Sequence, residues 1–170
     1  RSAAYFCKRN PVKIDSNLIA ELKAASTRLG GGNIRLCLHE NQDAVFHEMI
    51  NLEYRDKYYR PHKHAVKGES YHIIEGSMGA FIFDENGHVT RMIKMGEYGS
   101  NLTVLYRLCS SLWHLPVALT EQVVYHEVLT GPFKKEETVE YAPWSPDETE
   151  KDSVVEYMKE LLNIYEISQK

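Results

Sequence analysis

Two histidines one residue apart, His62 and His64, stand in the run Arg60-Pro61-His62-Lys63-His64, with Glu69 and Gly76 following. Four residues separate His64 from Glu69, and six separate Glu69 from Gly76. On a β-strand, residues i and i+2 point the same way, so the two imidazoles would share a face. A turn at Lys67-Gly68 would let Glu69 open the returning strand and bring its carboxylate beside the rings. Gly76 permits a tight turn before the next strand, Met78 to Phe83. Neutral imidazoles and a carboxylate form a ligand set for a divalent Fe, Mn, Zn or Ni ion. In a chain with eight histidines an HxH pair alone carries little weight; the spacing to Glu69 and Gly76 supplies it. Pro61 suits the start or edge of a strand.

A further ligand has to come from another position, and His72, His88, His114 and His126 are the candidates. His72 has the wrong parity relative to Glu69, and His88 follows an Asn-Gly turn where water reaches it. His114 sits in the apolar stretch Leu112 to Leu119, where an imidazole needs a partner. His126 sits similarly between Val123 and Leu129 and stays as the alternative ligand or as a group facing a substrate. Tyr71, His126, Glu48 and Tyr125 are candidate proton carriers, with nothing to choose among them. Arg60 or Lys63 could meet a phosphate or carboxylate at the mouth of the site. The substrate-facing set is therefore Arg60, Tyr71 and His126. Tyr54, Tyr58, Tyr59 and Trp113 offer aromatic surface for a sugar ring, although burial in a core explains Trp113 equally well.

The elements that must position these residues read as helix, short strands, helix. Asp15 or Ser16 can cap a helix over about 15–29, whose apolar face is Leu18, Ile19, Leu22, Ala25 and Leu29, with Gly30-Gly31-Gly32 as its stop. From Asn33 the period becomes two: Ile34, Leu36 and Leu38 alternate with Arg35 and Cys37, and Phe46, Ile50, Leu52 and Tyr54 share a face. Asp84-Glu85-Asn86-Gly87 marks a hairpin with positive φ expected at both Asn86 and Gly87. Strands follow at Leu102 to Leu108, Leu112 to Leu119 and Gln122 to Leu129, about eight in all. Such a series predicts a sandwich or barrel spanning about 33–133. A second helix, about 147–167, is expected to start at Ser145-Pro146-Asp147-Glu148 and to pack on the barrel through Val154, Val155, Met158, Leu161, Leu162 and Tyr165.

The totals bound the rest. A length of 170 residues fits one domain, 1–170, and 43% hydrophobic with 26% charged residues is ordinary globular composition. A net charge of −4 with both signs interspersed argues against a nucleic-acid partner. No apolar run is long enough to span a membrane, and Arg1 to Lys8 lacks the apolar centre of a signal peptide. Cys7, Cys37 and Cys109 are odd in number and far apart, each read as a small buried hydrophobe in a reducing cytoplasm.

His62-x-His64-x4-Glu69-x6-Gly76 resembles the first cupin motif, and His114 stands where the second motif has its single histidine. Cys109, Ser111 and Ala118 replace the Pro, Gly and Asn of that second motif, and Asp56 replaces the Gly before the first. Arg35-x-Cys37-Leu38-His39, Arg60-Pro61-His62-x-His64, Phe83-Asp84-x2-Gly87, Trp113-His114, Gly131-Pro132-Phe133 and Ala142-Pro143-Trp144-Ser145-Pro146 together resemble the WbuC family of cupin-fold metalloproteins. That resemblance implies an all-β fold: a cupin-type double-stranded β-helix (jelly-roll barrel) with an added N-terminal and C-terminal α-helix. It also implies His62, His64, Glu69 and His114 as metal ligands, a homodimer, and a small-molecule ligand such as a sugar or sugar nucleotide of bacterial polysaccharide (O-antigen) biosynthesis. Metal-assisted isomerisation or epimerisation, Fe(II)-dependent dioxygenation and non-catalytic binding are the three readings of such a site.

Overall fold

The computed structural model describes residues 3–64, 68–109, 111–134 and 139–168. In chain order the elements are β1 (Ala3–Phe6), α1 (Ser16–Arg28), β2 (Ile34–Cys37), β3 (Phe46–Tyr54), β4 (His62–Lys63), β5 (Glu69–Glu75) and β6 (Ser77–Phe83). They continue with β7 (Val89–Gly96), β8 (Leu105–Leu108), β9 (Trp113–Ala118), β10 (Gln122–Thr130), β11 (Glu140–Tyr141) and α2 (Lys151–Ile167). Two sheets result, ordered β1-β2-β3-β10-β5-β8 and β11-β4-β9-β6-β7. Apart from the parallel pair β1–β2, the strands pair antiparallel. The short strands β1 and β11 escape sequence reading because two to four residues show no measurable alternation, while the strand expected at His62-x-His64 is the two-residue β4, which ends at Lys63. Half of the expected Lys67-Gly68 turn, Lys67, lies outside the described residues.

Asp15 caps α1, its carboxylate accepting from Leu18 N at 3.0 Å, and Gly30 and Gly31 close the helix at φ +87° and +73°. The helix lies on the outer face of the six-stranded sheet. Ile19 and Leu22 join Ile34, Ile50, Leu52 and Val124 in one apolar cluster there. The packed side that alternation implies for β2 and β3 is therefore the outer one. The apolar residues of the alternation face the helix, and the polar ones, Arg35 with Asn51, Glu53 and Glu127, face the inside of the barrel. Cys37 is also inward and buried, whereas Cys109 is exposed, so the expectation of a buried thiol fails for Cys109.

On the other sheet Phe81, Phe83, Trp113, Leu115 and Val117 point outward and are covered by α2 through Leu161, Met158, Leu162, Tyr157 and Tyr165. Burial of Leu161 at 2% exposure contributes about 2–3 kcal/mol to this docking. The helix starts later than expected. Asp147 spends its carboxylate on Thr149 N and Oγ1, and Ser145 Oγ donates to Ala142 O, so neither caps α2. The hairpin after β6 also differs: Gly87 N donates to Asp84 O and Asp84 N to His88 O, with positive φ at Gly87 alone. That is a type I turn followed by a left-handed glycine, the longer hairpin solution.

Between the sheets, Met78, Ala80, Met95, Ala118, Ile73 and Val123 fill one end of the barrel. Among these apolar groups lies Glu53, 6% exposed, its carboxylate accepting from Tyr125 Oη at 2.8 Å. Burial outweighs that hydrogen bond and pushes the Glu53 carboxyl up to about 7. Gly76 is the corner at which the chain leaves one sheet for the other. Its φ is +82°, and a Cβ would stand 2.5 Å from Gln122 O.

Two stability measurements follow. Gly76→Ala should cost about 1–3 kcal/mol in urea unfolding, since the strained φ and the backbone oxygen leave no relief; an unchanged midpoint would refute this. Glu53 has a raised folded pKa, so its contribution is fully present below the unfolded value and is lost as pH rises through about 7. Glu53→Gln should therefore match the wild type near pH 4 and exceed it by roughly 1–3 kcal/mol at pH 8. Parallel stability–pH curves for the two proteins would rule out this role.

Candidate metal centre

His62 and His114 are directly opposed on the neighbouring strands β4 and β9, and Ile82 of β6 flanks His114 on its other side. Their ring centroids are 4.4 Å apart, with His64 at 5.1 Å from His62 and 5.5 Å from His114. Nitrogen atoms of all three rings lie within 4.8 Å of one another. Glu69 reaches the same point from β5 in the opposite sheet. Its Oε1 is 2.7 Å from His114 Nε2, and its Oε2 is 3.4 Å from His64 Nε2. His114 and Glu69 are fully buried, His64 nearly so, and His62 half-buried. The structure thus brings together the four residues that the motif reading singled out.

Two of the rings are fixed by one device. His62 Nδ1 is 3.0 Å from Arg60 O and His114 Nδ1 is 2.9 Å from Leu112 O, each a carbonyl two residues back. A carbonyl only accepts, so both Nδ1 atoms carry the hydrogen, and in the neutral ring Nε2 is a lone pair. On the outer side of β4, Lys63 Nζ sits 4.1 Å over the Trp113 ring and 3.4 Å from Glu140, holding the ligand strand between β9 and β11. Burial first, then the other two histidines, lowers His62 to about 3, so it stays neutral at ordinary pH. Burial opposes ionisation of Glu69, but the histidines outweigh it and hold the carboxyl far below its usual range. Glu69 Oε1 and His114 Nε2 are both buried, 2.7 Å apart, and without a hydrogen-bond partner of acceptable geometry. A carboxylate oxygen and an imidazole nitrogen at that distance need a positive charge between them, either a proton on Nε2 or a metal ion. Three nitrogens and a carboxylate suit a divalent transition metal, so the residues fit such an ion.

Other expected site residues are spread more widely. Tyr71 is inward, 3% exposed, and packed on Tyr125 and Tyr106 at ring distances of 5.3 and 5.9 Å. Burial, then the charge of Glu69, pushes its phenol well above the usual range, so it keeps its proton. His126 points the other way. Alternation on β10 turns Tyr125 and Glu127 inward and His126 outward, where Nε2 meets Glu48 Oε1 at 2.9 Å. His126 and Glu48 line an outer hollow with Ile14, Leu38, Ile50, His72 and Ile74, away from the histidine cluster. Arg60 is engaged elsewhere too, donating to Ser145 Oγ (3.2 Å) and Ala142 O (3.0 Å) and pairing with Asp147. It ties the segment before α2 to β4. Trp113 and Tyr58 lie under α2 on the outer face, and Tyr59 Oη accepts from Asn33 at 2.6 Å, so none of the three faces the cluster.

Sequence reading passed over the inward polar residues Arg35, Asn51 and Glu127. Glu127 is opposite Tyr71 across β5, and its Oε2 accepts from Asn51 Nδ2 at 2.7 Å. Burial raises the Glu127 carboxyl against the pull of Arg35. The signal that could have found it is parity: Glu127 is two residues from Tyr125 and two from Leu129, both inward.

A domain of unknown function, DUF6016, matches residues 14–95. No curated protein matches the sequence. Among solved structures, protein SO0799 of Shewanella oneidensis aligns over 66% of this chain and 75% of its own, with 10% identity and a TM-score of 0.51. The capsular polysaccharide assembling protein CapF of Staphylococcus aureus aligns over 63% of this chain at 14% identity and a TM-score of 0.50. This chain covers only 29% of the CapF chain. Oxalate decarboxylase of Bacillus subtilis aligns over 58% of this chain and 24% of its own, with 22% identity and a TM-score of 0.44. At these identities the likeness concerns architecture alone, and that architecture is the all-β cupin jelly roll, carried here with a helix on each sheet.

Proposed function

We propose that His62, His64, Glu69 and His114 hold one divalent metal ion, and that the barrel uses it to bind and transform a small molecule. The observation that carries this reading is the buried pair Glu69 Oε1 and His114 Nε2, 2.7 Å apart and lacking hydrogen bonds, with the His114 tautomer set by Leu112 O. Uncompensated polar atoms of this kind cost about 1–3 kcal/mol each, and a cation relieves both. When bound, the ion would polarise a carbonyl or hydroxyl oxygen of the ligand.

The chain's own groups then divide the remaining work. His62 and His114 are aimed by their backbone carbonyls, and burial keeps His62 neutral. Tyr71 keeps its proton and can offer it to a developing oxyanion. Glu127, paired with Tyr71 across β10 and β5 on the same inner face, is a second carboxyl that could accept one. A proton donor and a proton acceptor on one wall favour isomerisation or epimerisation. The WbuC-like sequence pattern points to a sugar or sugar nucleotide of bacterial polysaccharide biosynthesis, and CapF, a fold neighbour, bears the name of a capsular polysaccharide assembling protein. In our reading the chain is a homodimer of the cytoplasm. No described helix is long and apolar enough to cross a membrane.

Metal content tests the centre. The purified protein should carry close to one transition-metal ion per chain, and His62→Ala/His64→Ala should lower occupancy by at least about tenfold. Full occupancy in the double variant would overturn the ligand assignment. Turnover of nucleotide sugars that disappears with a chelator and returns with metal supports an enzyme, and saturable binding without turnover would sink the catalytic reading. Sedimentation should give the mass of two chains, and a monomer mass refutes the dimer.

A further inference from the structure

The inner wall facing the histidines carries polar groups that a metal centre does not use. Arg35 is the clearest. Its neighbours Ile34 and Leu36 pack toward α1, so alternation carries the guanidinium into the barrel opposite Asn51. There Nη1 touches the sulfur of Met49 at 3.9 Å, and Nε is buried with no hydrogen-bond partner. Glu127 is in electrostatic reach, yet its Oε2 is taken by Asn51 and no ion pair joins it to Arg35 among the described residues. In the same sheet, on its far edge strand β8, Tyr106, opposite Tyr71, has a buried hydroxyl that also lacks a partner. A half-buried guanidinium with unused donors is costly to keep without an anion, and five donors in a planar fork match a carboxylate.

The layering of the sheet places this wall next to the metal ligands. On β10, Leu129 lies opposite Glu69, Glu127 opposite Tyr71, and Tyr125 opposite Asn51, which pairs with Arg35. Each layer is two residues, or roughly 7 Å, from the next, and the Arg35 side chain leans one layer toward Glu69 to reach Met49.

We propose that the barrel binds the carboxylate of a hydroxylated small molecule, a sugar acid in chemical class, with Arg35 as the carboxylate receptor and Tyr106 and Asn51 facing its hydroxyls. One guanidinium with Glu127 and Glu53 in electrostatic reach suits a planar monoanion and disfavours a phosphate dianion. The proposal rests on the metal reading for the direction in which the ligand lies, and not for the anion site itself.

Calorimetric titration with D-glucuronate, D-glucose and D-glucose 6-phosphate tests it, on full-length protein whose metal content is measured in the same sample. Glucuronate should bind at least about tenfold more tightly than glucose and more tightly than the phosphate. Arg35→Gln should erase the gap between glucuronate and glucose while leaving glucose unchanged. Arg35→Lys, which keeps the charge and loses the fork, should fall between, and it carries the test if Arg35→Gln melts early. Equal binding of acid and neutral sugar, no binding of glucuronate, preference for the phosphate, or an unchanged gap in the Arg35 variants overturns the proposal. Metal-free protein with an Arg35-dependent preference would sink the metal reading alone. Metal-loaded protein without that preference would sink this one alone.

Discussion

Burial on the outside is the constraint on which the barrel depends. Each sheet is covered by a helix, α1 over one and α2 over the other, and these two outer interfaces hold much of the large apolar side-chain surface. Phe81, Trp113 and Leu115 are spent beneath α2, and Ile34, Ile50 and Leu52 beneath α1. With packing energy supplied there, the inner faces need not be uniformly apolar. One end of the interior is filled by Met78, Met95 and Val123, and the other is left to histidines, carboxylates and an arginine. A single-layer sheet with one wet face could not afford that inversion.

The inward polar groups shift one another. Burial drives Glu53 and Glu127 toward the neutral form, while the histidines hold Glu69 charged a few residues away. Carboxyls in one cavity therefore differ in protonation because their nearest neighbours differ, the usual way a site separates acid from base roles. The phenols of Tyr71 and Tyr125 stay protonated under the same pressure. The interior is thus rich in donors, and Glu69 is its firmest negative charge.

Legibility in the sequence followed the strength of local patterns. The Asp15 cap, the glycine stop and the stripe of α2 sit within one or two turns of chain and could be read directly. His62, His64, Glu69 and His114 were found because period two and motif spacing agree. Arg35 and Glu127 were missed because alternation tells which residues share a face and not which face is inside. The apolar side of β2 is a packed side, and its partner is α1, the helix just before it in the chain, and not the barrel interior. Arg60 looked like a rim cation, but its partners Ser145, Ala142 and Asp147 lie more than eighty residues later. The start of α2 failed for a smaller reason, since Asp147 had a nearer bond to make.

The two-residue strand β4 has one further meaning. It carries His62, and among the described residues its strand partners are His114 on one side and the pair Glu140–Tyr141 on the other. The tail after the last long strand is therefore architecture for the ligand strand: Ala142 N bonds Pro61 O, Arg60 grips Ala142 and Ser145, and α2 anchors them all. Among relatives, drift in the tail and drift in the HxH strand should be correlated. A boundary drawn at the end of the barrel would sever a buttress, leaving His62, His64, Glu69 and His114 all present and the strand that aims His62 unsupported.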